Sequence, residues 1–113
     1  MLEVTVLTVP GCPNEPVLRD RLAQVLPDYP DATGTRKVIQ DEAGAARYGM
    51  HGSPTVLVNG SDPFAAPGTP ASISCRLYRD QSGPAGGAPP AAALREALRH
   101  AAGHPYLPDS PGR

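Results

Sequence analysis

The chain has 113 residues, with ten basic against eleven acidic side chains and a net charge of −1. That length makes one domain able to bury about two thirds of its unfolded surface, and a near-neutral balance without a basic stripe or a like-charge block argues against nucleic-acid binding and against a charged recruiting tail. There is no run of about 18 apolar residues to span a membrane, and two cysteines cannot build a disulfide framework.

The opening "LEVTVLTV" (2–9) alternates apolar and β-branched residues as a strand does, and reads as a strand rather than a signal peptide. A cytoplasmic location is therefore expected, where the two cysteines remain thiols. From Asn14 to Leu26 the apolar positions Val17, Leu18, Leu22, Val25 and Leu26 fall at helical spacing, and "PDYPD" (27–31) ends the helix. "TGTRKVIQD" (33–41) predicts a second strand and "EAGAARYGM" (42–50) a short helix. "PTVLV" (54–58) predicts a buried strand closed by the turn "NGSD".

Residues 60–72, "GSDPFAAPGTPAS", form a Pro/Gly-rich loop too long for a simple hairpin connection. "ISCRLYRD" (73–80) predicts a fourth strand and "QSGPAGGAPP" another loop. Residues 91–102 place Leu94, Ala97, Leu98 and Ala101 on one face of a last helix. The domain thus covers 1–102, with an insertion at 60–72 and a flexible tail over 103–113. The order β-α-β-α-β-β-α predicts an α/β fold. Its first two strands are parallel through a right-handed crossover, its last two form an antiparallel hairpin, and helices cover both faces of a four-stranded mixed sheet.

With that order, "DEAGAARYGMHGSPTVLVNG" resembles the central block of thioredoxins through Asp41, Tyr48, Gly49, Gly52, Pro54, Thr55, Asn59 and Gly60. A first strand leading to a cysteine at a helix start matches as well. The resemblance covers roughly 2–102 and implies a thioredoxin-like fold with a cis Ser53–Pro54 bond facing Cys12. It also implies a substrate site formed by Pro13, Asn14, Ser53, Pro54 and Thr55, where the Ser53 backbone pairs with extended substrates. The chain departs from the family's Cys-x-x-Cys, because Glu15 stands where the second cysteine belongs. A dithiol cycle within that motif is excluded.

Three readings follow. In the first, Cys12 is a monothiol nucleophile whose mixed disulfide is resolved by an external small thiol, with His51 able to stabilise the thiolate. The helix start lowers the thiol pKa, while a Glu15 carboxylate near the sulfur opposes it; the sign of the sum stays open. In the second, Cys12, Glu15 and Cys75 act together in a pattern similar to organomercurial lyases, two thiolates holding a soft metal and a carboxyl delivering the proton. The expected hairpin counts against it, since it sets Cys75 about four residues, or ~13 Å, from the Pro54 end, on a face shared with Ile73 and Leu77 that suits a buried apolar cysteine. In the third, the domain is a binding module whose 60–72 loop, carrying Phe64, meets a partner protein or folds over Cys12. None of the readings demands a metal or organic cofactor. Cys12, Cys75, His51, His100 and His104 lack the paired spacings of a structural zinc site.

Overall fold

A computed structural model describes residues 2–80 and 83–103. Strand β1 (Glu3–Thr8) leads to helix α1 (Glu15–Val25), and strand β2 (Thr33–Val38) to helix α2 (Glu42–Tyr48). Short strands β3 (His51–Ser53) and β4 (Thr55–Val58) flank Pro54, followed by β5 (Ser72–Cys75), β6 (Tyr78–Asp80), β7 (Gly83–Gly86) and helix α3 (Ala91–Gly103). The main sheet has the order β2-β1-β4, with β1 parallel to β2 and antiparallel to β4. The domain is α/β, a mixed sheet with three α-helices.

Strand alternation divides the apolar residues between two faces. Val4, Val6, Val56 and Val58 pack against Leu18, Leu22 and Val25 of α1 and Leu94 and Leu98 of α3. Leu7 turns the other way, onto Ile39, Ala45 and Met50, with Leu57 and Ile73 at the margin of that cluster. Helices therefore cover both faces, α1 and α3 on one and α2 on the other. The Asp41 side chain accepts a hydrogen bond from the Gly44 N–H at 2.8 Å and so caps α2.

Two expectations are corrected. The strand expected over 73–80 is broken into β5 and β6, and β5 runs parallel to β3 instead of forming a hairpin with β4. The main sheet consequently has three strands rather than four, with β3–β5 and β6–β7 as separate two-stranded ladders. The reason lies just after β4. Asn59 and Gly60 both adopt positive φ (53° and 85°), the chain doubles back so that Ser61 bridges Val58, and Asp62 is carried inward. There it holds Arg76, which draws the returning chain alongside β3. A segment as long as 60–72 imposes no hairpin register of its own, and the Asp62–Arg76 ion pair accompanies the parallel pairing that is observed. At the C-terminal end, Gly103 still belongs to α3, and the expected tail over 104–113 lies outside the described residues.

Candidate active site around Cys12

Helix α1 starts without a side-chain cap: Asn14 is its N-cap residue and makes no capping hydrogen bond through its side chain, and Pro16 supplies no N–H. The Glu15 N–H donates instead to the Cys12 carbonyl at 3.4 Å, and the Asn14 and Glu15 N–H groups at this helix start act on the Cys12 thiol to favour its anion. Two hydroxyls complete its surroundings, Ser53 from the turn before Pro54 and Thr8 from the end of β1. The Ser53 Oγ accepts the Val9 N–H at 3.1 Å and lies 3.4 Å from the Thr8 Oγ1, either hydroxyl being able to donate to the other. Residue 12 is only 8 % exposed. Burial pushes the thiol pKa up, but the Ser53 hydroxyl, the Asn14 N–H, the Thr8 hydroxyl and the Glu15 N–H together outweigh it, so the net shift is downward. The sign left open by sequence is thereby decided.

The Glu15 carboxylate is engaged away from Cys12. The carboxylate is 8 % exposed and is gripped by Arg36 on β2, with Nη2 donating to Oε1 at 3.0 Å and Nε to Oε2, and Arg19 lies 3.6 Å away. The hydrogen bond from Arg36 holds the Glu15 pKa below the usual carboxylate range against the opposing effect of burial, with the charges of Arg36 and Arg19 adding to it. An ionised, ion-paired carboxylate is a poor proton donor, which removes the main chemical support for the lyase-like arrangement. Glu15→Gln is accordingly expected to keep the alkylation rate of Cys12 at neutral pH within about threefold of the unaltered chain, read by mass-resolved alkylation kinetics. A larger slowing would show that the carboxylate serves the sulfur directly.

The Ser53–Pro54 peptide bond is cis, and Pro54 is fully buried. The Tyr78 hydroxyl donates to the Pro54 carbonyl, and its ring meets Phe64 edge-on with centroids 5.6 Å apart. Burial pushes the Tyr78 phenol far up, opposed by Arg76 and reinforced by the charges of Asp62 and Cys12, so it remains a neutral donor. Thr55 is fully buried, its hydroxyl donating to the Gly52 carbonyl at 2.5 Å and accepting from the His51 N–H at 3.1 Å.

His51 is turned elsewhere than expected. Its Nδ1 lies 2.9 Å from Asp62 Oδ2, and the imidazole is not among the groups that hydrogen-bond the sulfur. Asp62, with a side chain 2 % exposed, also accepts from Arg76 at 2.6 Å and from the Phe64 N–H at 2.9 Å. Cys75 differs from both of its expectations. It is exposed rather than buried, and it lies directly opposite Ser53 in the β3–β5 ladder rather than four residues back. Ser53 therefore neighbours both thiols, acting on Cys12 through its hydroxyl and lying opposite Cys75 by strand register. Pro13 is exposed and Asn14 half-buried, its side chain packed so closely on Gly87 that a Cβ there would fall 2.1 Å from the amide nitrogen. Among the described residues, no three His, Cys, Asp or Glu side chains gather as a metal-ion site.

Sequence reasoning missed Thr8, Asp62, Arg76 and Tyr78. Thr8 carried one usable signal, a hydroxyl at the end of a strand four residues before the cysteine. Asp62 and Arg76 carried none, because a charge in a loop reads as solvated until its partner is known. No family model matches the chain, and no match was found among curated proteins or solved structures. No helix among the described residues is long and apolar enough to cross a membrane.

Proposed function

We propose that the chain is a thioredoxin-like monothiol protein whose Cys12 performs thiol–disulfide chemistry beside Pro54, in the reducing environment of the cytoplasm. The observation that carries this reading is the place of Cys12 just before α1 with the Ser53 hydroxyl of the cis Ser53–Pro54 junction beside it, surroundings that shift the thiol pKa downward despite burial. Donors aimed at a sulfur favour its anion, and the thiolate is the nucleophile. The chain order also supports the fold assignment, since β1, α1 and β2 make a parallel crossover and β4 returns antiparallel to β1 from the proline.

The Cys12 thiolate attacks one sulfur of a disulfide RSSR. The protein–SR bond forms as the S–S bond breaks, and RS⁻ leaves. A second thiolate, R′S⁻, then attacks the R sulfur, which releases the Cys12 thiolate and gives RSSR′. The sum is thiol exchange without a net oxidant or reductant. The hydrogen bonds that stabilise the resting thiolate equally stabilise Cys12 as the leaving group in the second step.

The test is the pH profile of Cys12 alkylation, followed by peptide mass. The midpoint is expected below that of a free cysteine, about 8.5. If Cys12 alkylates no faster than a free thiol, the fold serves a binding role and the thiol chemistry is absent.

A further inference from the structure

We infer that the substrate of Cys12 is a low-molecular-weight disulfide and not an extended polypeptide; this rests on the thiol chemistry proposed above. A polypeptide in extended form docks on a protein by adding a strand to an open sheet edge, where main-chain hydrogen bonds supply much of the affinity. The last residue of β3, Ser53, carries a hydroxyl that acts on the Cys12 sulfur. In this chain one edge of that strand is already paired. Strand β5 runs beside it, His51 opposite Ser72 and Ser53 opposite Cys75. The Ser72 N–H donates to the Met50 carbonyl at 3.0 Å and the Arg76 N–H to the Ser53 carbonyl at 3.1 Å. The carbonyl with which an incoming peptide would register beside the sulfur is therefore occupied by the chain itself.

The pairing is built to stay closed. Gly52 has φ +111°, and a Cβ on it would lie 2.8 Å from the Arg76 Cβ, so β5 sits as near to β3 as a missing side chain allows. Beyond β5, the Arg76 guanidinium is tied to the buried Asp62 and reaches the Thr55 hydroxyl at 3.3 Å, and the Tyr78 hydroxyl holds the Pro54 carbonyl. On another side of the site, Gly87 lies against the Asn14 side chain. Freeing the β3 edge would cost a buried ion pair and several hydrogen bonds before any peptide contact formed. Residue 12 is only 8 % exposed, which favours a small reactant over a bulky one. The reactant that fits is RSSR with compact, unbranched R groups, attacked as written above.

The test uses the full chain and two probes that share a leaving group. One is bis(2-hydroxyethyl) disulfide; the other is an extended ten-residue peptide whose single cysteine carries 2-mercaptoethanol as a mixed disulfide. Rates of adduct formation at Cys12 are read by peptide mass, so reaction at Cys75 is counted separately; for the peptide probe only the Cys12–peptide disulfide that releases 2-mercaptoethanol is scored, and each rate is divided by that of the same product with free cysteine. The normalised small-probe rate is expected to exceed that of the peptide by about tenfold or more, the ratio that a difference of about 1.4 kcal/mol in the barrier produces. A smaller ratio overturns the inference while leaving the thiol chemistry standing. If neither probe reacts at Cys12 faster than with free cysteine, the proposed chemistry fails and this inference with it. Amide hydrogen exchange gives a second reading: the Arg76 and Ser72 N–H groups are expected to exchange at least about a hundredfold more slowly than in an unstructured chain. Exchange at the unprotected rate would show the β3 edge to be open and would overturn the inference.

Discussion

Asp62→Asn is expected to lower the free energy of unfolding by about 3 to 5 kcal/mol, the range found when one partner of a buried ion pair is removed. The carboxylate is held by Arg76, His51 and the Phe64 N–H, and both it and Arg76, 10 % exposed, are largely withdrawn from water. The variant leaves the guanidinium buried without a counter-charge, and an amide cannot satisfy the same donors. The acid dependence carries a definite sign. Burial pushes the Asp62 pKa up, but the hydrogen bonds from Arg76, His51 and the Phe64 N–H and the charge of Arg76 bring it below its ordinary value. Stability linked to this group is complete above the unfolded carboxylate pKa of about 3.9 and is lost as pH falls through the lower folded value. Denaturant titrations of both proteins should therefore show a gap that is constant near neutrality and narrows only in strong acid. A gap under about 1 kcal/mol at neutral pH would place Asp62 among ordinary surface ion pairs.

Ser53→Ala is expected to raise the Cys12 pKa and slow its alkylation at pH 7 by about tenfold. A hydrogen bond to a charged group contributes about 1.5 kcal/mol or more, and about 1.4 kcal/mol corresponds to a factor of ten in thiolate population. The Ser53 hydroxyl is the largest of the contributions that lower that pKa, and the other donors, Asn14, Thr8 and Glu15, remain in place. The substitution also orphans the Val9 N–H, now bonded to Ser53 Oγ at 3.1 Å, so some loss of stability accompanies it. A pH–rate profile separates the two effects. Loss of thiolate stabilisation moves the midpoint to higher pH and leaves the rate plateau at high pH nearly unchanged, whereas a purely structural role leaves the midpoint where it was.

Both residues show which parts of the protein can be read along the chain. Burial in a helix or strand is a local property, decided by spacing. Leu18, Leu22 and Val25 recur at helical intervals and are buried, as are Val56 and Val58 at strand intervals. Val17, counted with the apolar positions of the same helix, lies at its margin and is 36 % exposed. Gly49, with φ +78°, was likewise legible as part of the stop of α2, whereas Asp41 was expected to end the second strand and instead caps the helix.

The sequence by itself determined the α/β order, the two apolar faces, the position of Cys12 at a helix start and the absence of a second cysteine at position 15. Only the tertiary structure decided what that thiol experiences. Ser53 reaches it from 41 residues away, and β5, which pairs with β3, comes from 60 or more. The physical reason is that helix and strand periodicity records which way a side chain faces but not what it meets. One buried aspartate pairs with a cation across a loop whose length sets no register, and the parallel pairing found there in place of the expected hairpin sets Cys75 beside Ser53.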